Sequence, residues 1–114
     1  MTNAVDILRL ARERINSPSK WVSHWSISED GKRICAATAI EWVAGGNGPV
    51  RSWPLVAQQA LKALAAESGV SPLWTDYDRV AWLNSLSHRA VMAAFDRAID
   101  GSELDLAGQQ GGYR

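Results

Sequence analysis

The chain has 114 residues, of which 46% are hydrophobic, and its twelve basic and twelve acidic residues cancel. This length corresponds to one domain that is large enough to bury a single core. The basic residues form no cluster longer than Lys32-Arg33, which makes nucleic acid an unlikely partner. Because no apolar run reaches the ~20 residues of a membrane span and the one cysteine has no internal disulfide partner, we expect a cytoplasmic protein without a membrane segment.

The first helix is predicted from apolar periodicity. Its apolar residues recur at spacings of 4, 3 and 4 residues, at Ala4, Leu8, Ala11 and Ile15. This spacing is typical of a helix with one buried face. The next segment, 21–28, contains two tryptophans and precedes Asp30-Gly31, which is a strong signal for a tight turn. We predict a short β-hairpin or an extended arm here.

Three further helices are predicted between residues 34 and 86. The second runs from about Ile34 to Val43 and is stopped by a glycine-rich connector. The third begins at Pro54, a residue suited to a first helical turn, and ends before Gly69. The fourth follows a capping signal at Thr75.

The last predicted helix begins near Ser87 and ends at Asp100-Gly101. Its inner stripe consists of His88, Val91, Met92, Phe95, Ala98 and Ile99. The glycine-rich residues 108–114 are predicted to be a disordered tail. We therefore predict one domain over residues 1–107 that is mainly α, a compact bundle of four to five helices with the hairpin or arm after the first helix.

Three segments resemble a family of short, uncharacterised bacterial and phage proteins. They are Arg33-Ile34-Cys35-Ala36-Ala37-Thr38-Ala39-Ile40, Val80-Ala81-Trp82-Leu83-Asn84 and Val91-Met92-Ala93-Ala94-Phe95-Asp96-Arg97-Ala98-Ile99. The family pattern has a Cys-x-x-Gly/Ala-Ala helix, a Trp-Asn-Asp segment and a Phe-Asp-Arg-Ala helix. This chain has Thr38-Ala39 in place of Gly-Ala and separates Trp82 from Asn84. The resemblance implies the helical fold, a cytoplasmic setting and a phage or mobile-element origin, and it implies no activity.

One chemical hypothesis concerns Cys35, the only cysteine, which opens a predicted helix. A helix start presents unpaired N–H groups that stabilise an anion such as a thiolate. With His88 as base and Asn84 or Asp76 as orienting group, Cys35 would serve a small thiol-dependent hydrolase or transferase. The alternative is that Cys35 is a small buried hydrophobe and that His88 bonds a backbone carbonyl. The sequence favours this structural interpretation.

Neither a metal nor a cofactor is expected. One cysteine and two separated histidines do not provide the spacing of a zinc site, and the glycine run 45–48 lacks the Lys-Ser/Thr of a phosphate loop. Six tryptophans beside one phenylalanine indicate core packing with some anchors at an interface. The candidates are Trp25, Trp53 and Trp74. We therefore expect a non-catalytic protein-binding or self-associating module, whose partner is a protein or a second copy.

Overall fold

The computed structural model describes residues 3–24 and 26–111. The helices are α1 (Ala4–Arg14), α2 (Ala36–Val43), α3 (Leu55–Ala65), α4 (Asp76–Asn84) and α5 (His88–Gly111). Two short 3-10 turns, Pro18–Lys20 and Val50–Ser52, lie in the connections. Over the described residues, the predicted helical fold is confirmed, with five α-helices.

Local side-chain caps explain where α1 and α4 begin. Asn3 Oδ1 accepts a hydrogen bond from Asp6 N at 3.0 Å, and the Asp6 carboxylate accepts one from Asn3 N at 3.3 Å. At the start of α4, Thr75 Oγ1 accepts a hydrogen bond from Asp78 N at 3.1 Å. These contacts satisfy backbone donors that a helix start leaves unpaired. Both starts therefore follow from residues within one turn of each other.

The core is formed by the inner faces of all five helices. Helix α1 packs against α2, α3 and α5, and α4 packs against the same three helices. The largest fully buried side chains are Phe95, Ile7, Leu8, Ile15, Ile40, Leu61, Leu64, Val80 and Val91. In α2, Ala36, Ala37 and Ala39 are also buried, and such small side chains let neighbouring helices approach closely. Phe95 and Val91 of the predicted inner stripe thus belong to the core.

After α1, residues 21–24 and 26–28 form a segment that we call the arm; it curves around Ile34 and is not extended along its length, and no β-hairpin is seen among the described residues. Within the described part of the chain, its β-type pairing consists of single bridges from Trp21 and Ile27 to Ile34. The predicted turn does form: Gly31 has a φ of +74°, and Ser28 Oγ donates to Asp30. This hydrogen bond lowers the pKa of the Asp30 carboxyl.

In the arm, two backbone carbonyls bond a side chain of α4 and not a neighbouring strand. The carbonyl groups of Val22 and Ser23 accept hydrogen bonds from the Asn84 amide. A ladder needs successive backbone groups of two strands to pair with each other. Because these carbonyls bond Asn84 of α4, the arm is attached to the helical bundle, and the pairing with Ile34 does not extend into a hairpin.

Helix α5 continues beyond Asp100-Gly101, where the sequence predicted its end, to Gly111. Arg12 Nε bonds Asp96 Oδ1 at 2.8 Å before this glycine, and Arg9 pairs with Glu103 after it. A glycine inside a helix costs about 1 kcal/mol relative to alanine. One glycine therefore does not end a helix whose next turn is tied to α1. The backbone of 108–111 continues this helix, residues 112–114 lie outside the described residues, and the predicted disorder of the tail stays a prediction.

Candidate binding groove

Asn84, the last residue of α4, joins three segments of the chain through its side-chain amide. Its Oδ1 accepts hydrogen bonds from Trp21 Nε1 at 2.7 Å and from Ala36 N at 3.0 Å. Its Nδ2 donates to the carbonyls of Val22 and Ser23, both at 2.9 Å. Asn84 is 2% exposed, and all four of its hydrogen-bonding positions are used. It therefore holds the arm and the start of α2 against α4.

His88, at the start of α5, contacts a different part of the molecule. Its Nε2 lies 2.7 Å from the carbonyl oxygen of Ile15. Because a carbonyl oxygen only accepts, Nε2 is the donor in this hydrogen bond. The His88 ring also packs edge-on against Trp21, with 5.5 Å between the ring centroids. Trp21 thus lies between Asn84 and His88 and links the end of α1 to the start of α2.

Cys35 is the N-cap of α2. Its Sγ accepts a hydrogen bond from Thr38 N at 3.4 Å and lies 3.2 Å from Thr38 Oγ1. The residue is 9% exposed and its thiol is free. Asp76 pairs with Arg79 across 3.6 Å within the first turn of α4. Asn84 accepts a hydrogen bond from the backbone of Ala36, the residue after Cys35. His88 and Asp76 instead bond Ile15 and Arg79.

A surface hollow of about 300 Å³ lies over Cys35 and Asn84. Its wall is completed by residues of the arm, α2 and α4, namely Ser23, His24, Ser26, Ala37, Tyr77, Val80, Ala81 and Ser85. The histidine in this wall is His24, whose Nδ1 lies 2.7 Å from Ser23 Oγ. The sequence hypothesis paired Cys35 with His88 instead, and His88 does not line this hollow.

Four hollows share walls and together form what we call the binding groove. A hollow of about 480 Å³ shares Ser26, Ala37 and Tyr77 with the one over Cys35. A third, of about 670 Å³, shares Trp42 with the second. A fourth, of about 650 Å³, shares Ala81 and Ser85 with the hollow over Cys35. The binding groove thus runs from α1 and α2, past the arm, to α4 and the loop before it.

Most of the exposed large apolar side chains in the described part of the chain lie in this groove. They are Leu10, Ile27, Trp42, Leu73, Trp74, Tyr77 and Trp82, whereas Leu55, Leu86 and Leu104 do not line it. Trp42 and Trp82 are each 42% exposed. Because exposed apolar side chains are normally scattered singly over a soluble protein, their concentration along one groove is typical of an interaction surface.

The structure places the three predicted tryptophan anchors differently. Trp74 lines the binding groove and is exposed. Trp53 also contributes to the wall of the hollow of about 480 Å³, but it is only 5% exposed, and its Nε1 donates to the carbonyl of Gly48 at 3.0 Å. Trp25 lies outside the described residues. Trp53 therefore serves mainly packing, because its ring is covered and its indole N–H already has a partner.

Sequence reasoning missed Trp42 and Trp82 as exposed rings. In α2 all of residues 36–40 are buried, so helical spacing alone does not mark Trp42 as exposed. In α4, Trp82 lies four positions after the exposed Asp78, and residues at this spacing share a face of a helix. The spacing therefore contains a signal for Trp82 only.

The two ends of the binding groove differ in charge. Between α1 and α2 the wall contains Arg14, Lys20 and Lys32 against one carboxylate, Glu13. The guanidinium carbon of Arg14 lies 5.4 Å from the Trp42 ring centroid, a cation–π contact. The hollow beside Trp74 and Trp82 has one charged residue in its described wall, Asp78. The middle of the groove contains Glu41, so its positive charge is confined to one end.

No group of three or more His, Cys, Asp or Glu side chains in the described residues could hold a metal ion. No described helix combines the length and the apolar character needed to cross a membrane.

The sequence model of a family of unknown function, DUF6197, matches residues 1–101 of the chain. The chain therefore belongs to this family. The match confirms the resemblance to an uncharacterised family. It covers α1 to α4 and the part of α5 up to Gly101. Neither a curated protein nor a solved structure matches the chain.

Proposed function

We propose that this DUF6197 protein is a non-catalytic module that binds a polypeptide segment in the binding groove. One observation carries the proposal: the exposed aromatic rings of α2, α4 and the loop before α4 line adjoining hollows of one surface. Contiguous exposed apolar surface with a polar rim marks interaction sites in soluble proteins. The proposal includes the cytoplasmic setting and the phage or mobile-element context that the sequence leads us to expect.

The dimensions of the groove support a polypeptide occupant. Its hollows range from about 300 to about 670 Å³, and each can accept side chains of a partner. Four hollows in succession fit a series of residues better than one compact ligand. Trp42, Tyr77 and Trp82 present rings that bury a large area on binding, at a low cost in side-chain entropy.

The thiol-dependent hydrolase or transferase draws less support from the geometry. A nucleophilic cysteine needs its base within hydrogen-bond reach. The Sγ of Cys35 is engaged by Thr38, and His88 donates to the carbonyl of Ile15. We propose instead that Cys35 is a structural cap of α2 and that Asn84 is a positioning residue, which holds the arm in the wall of the groove.

Selection of a displayed peptide library against the folded protein, followed by NMR, tests the proposal. In ¹⁵N-labelled protein each tryptophan gives its own indole N–H signal. On addition of a selected peptide, the signals of Trp42 and Trp82 should shift. That of Trp21 should stay in place, because this indole donates to Asn84 inside the protein and Trp21 lines none of the four hollows. A shift confined to Trp21 would contradict binding in the groove.

Matched variants separate the binding groove from the rest of the surface. Trp42→Ala and Trp82→Ala remove equally exposed rings and should each weaken peptide binding about tenfold or more. Leu55→Ala removes an apolar side chain that is 68% exposed but does not line the groove, and the dissociation constant should stay within roughly twofold. An equal loss in all three variants, or a library that yields no binder, would overturn the proposal.

The oligomeric state of the free protein distinguishes the two forms of the proposal. Sedimentation velocity over a range of concentrations reports whether a second copy occupies the groove. If it does, the dimer should dissociate in Trp82→Ala and persist in Leu55→Ala. If the protein is a monomer at all concentrations, the partner is a different polypeptide.

A further inference from the structure

The hollow between α1 and α2 is the part of the binding groove with the most one-sided charge. Its three cations, Arg14, Lys20 and Lys32, face one carboxylate, Glu13. That carboxylate already accepts a hydrogen bond from the side chain of Asn16. The rest of the wall is mostly apolar and consists of Leu10, Gly31, Ile34, Trp42 and Val43. Positive charge and apolar surface are therefore adjacent.

We propose that the polypeptide segment bound in the groove is acidic at one end, with its carboxylates over Arg14, Lys20 and Lys32. Its apolar side chains continue past Trp42 towards Tyr77. This inference rests on the proposed function and adds the chemistry and the direction of the partner. The occupant is thus an acidic, amphipathic segment that lies in one orientation along the groove.

Two features of the basic end favour carboxylates. The guanidinium of Arg14 rests on the Trp42 ring at 5.4 Å, so part of its side-chain freedom is already lost before a carboxylate binds. A guanidinium also presents paired donors that match the two oxygens of a carboxylate. The apolar wall lowers the local dielectric once a partner covers it, which strengthens each ion pair relative to one in water.

A nucleic acid fits the same groove less well. Its phosphates repeat along its whole length, and binding needs cations along the whole path. Beyond Trp42 the groove carries Glu41 and then Asp78, which would repel phosphates. A peptide with carboxylates at one end and apolar side chains at the other avoids this repulsion, so charge complementarity favours the peptide.

The composition of the selected peptides is the first readout. Asp and Glu should be enriched over the unselected library, and the enrichment should be clearly smaller when the Lys20→Gln/Lys32→Gln protein, which keeps Arg14, is used for selection. The matched control is Lys62→Gln/Arg89→Gln, which has the same net charge and alters two exposed side chains that do not line the groove. The control protein should select acidic peptides as the original protein does.

Titration of one selected peptide is the second readout. The peptide is compared, by fluorescence anisotropy, with a version in which every Asp and Glu is replaced by Asn and Gln. At ~0.01 M NaCl the acidic peptide should bind roughly fivefold to tenfold more tightly, as expected for a few exposed ion pairs. At ~1 M NaCl, where the Debye length is only ~3 Å, the two affinities should agree. The Lys20→Gln/Lys32→Gln protein, which keeps Arg14, should show a smaller difference at ~0.01 M NaCl than the original protein and none at ~1 M NaCl.

The outcomes separate this inference from the proposed function. Equal affinity of the acidic and amide peptides at low salt, with loss of both in Trp42→Ala, would refute the acidic end and leave the binding groove intact. A library without any binder would refute both. A labelled single-stranded DNA that displaces the acidic peptide, and that loses affinity in Lys20→Gln/Lys32→Gln, would identify a nucleic acid as the occupant and overturn the inference.

Discussion

Replacement of Asn84 by alanine should destabilise the protein by about 3 kcal/mol. The substitution removes four hydrogen bonds from a residue that is 2% exposed. Each contributes about 1 kcal/mol net, and a buried group left unpaired costs about 1–3 kcal/mol. Water can reach part of the arm, since Ser23 is half-buried, which keeps the total below the sum of four full penalties. Urea unfolding followed by circular dichroism measures this free energy, and thermal unfolding should show a midpoint lowered by about 10 °C.

A double-mutant cycle and a matched asparagine complete this test. Trp21→Phe removes the indole donor to Asn84 but keeps an aromatic ring, and its coupling to Asn84→Ala should be about 1 kcal/mol. Asn16 is exposed and also follows a helix, and its side chain bonds the exposed Glu13 and Lys20, so Asn16→Ala should cost less than ~0.5 kcal/mol. The reasoning is wrong if Asn84→Ala costs less than ~1 kcal/mol or if the two changes show no coupling.

Three further changes test the core, the thiol and the tail. Phe95→Ala should cost about 3–5 kcal/mol in urea unfolding because the ring is fully buried; a cost below ~1 kcal/mol would mean that α5 is peripheral. Cys35→Ala should lower the stability by ~1–2 kcal/mol at most and keep peptide binding, as should Cys35→Ser. Loss of an activity with an unchanged melting temperature would favour the thiol enzyme. Deletion of residues 108–114 should leave the melting temperature nearly unchanged, whereas a drop of several degrees would show that the tail docks.

The helices could be predicted because their determinants are local. The spacing of apolar residues in α1 and the caps at Asn3 and Thr75 involve residues within a few positions of each other, so the sequence alone contains them. The end of α5 could not be predicted in the same way. The helix continues past Gly101, and Glu103 in this continuation pairs with Arg9, 94 positions away, a contact that no local signal at Gly101 reveals.

The candidate site was only partly predictable for the same reason. Asn84 was named from its polarity, but its partners lie 48 to 63 residues away, and only the folded chain shows that it joins the arm to α2. The walls of the binding groove likewise come from separate segments. Trp82 could have been found, because it shares a face of α4 with the charged Asp78, four positions earlier, whereas no such spacing identifies Trp42 in α2.

The arm connects the stability of the fold to the shape of the groove. Its residues Ser23, His24 and Ser26 line the hollow over Cys35, and Asn84 holds the same segment by two backbone carbonyls. Loss of these bonds frees the arm even in molecules whose helices remain folded, because local opening needs less free energy than global unfolding. Asn84→Ala should therefore weaken peptide binding at temperatures where the protein is fully folded. Phe95 lies in the core away from the groove wall. Phe95→Ala should therefore lower the free energy of unfolding by a similar amount and leave the affinity of the folded protein for the peptide unchanged.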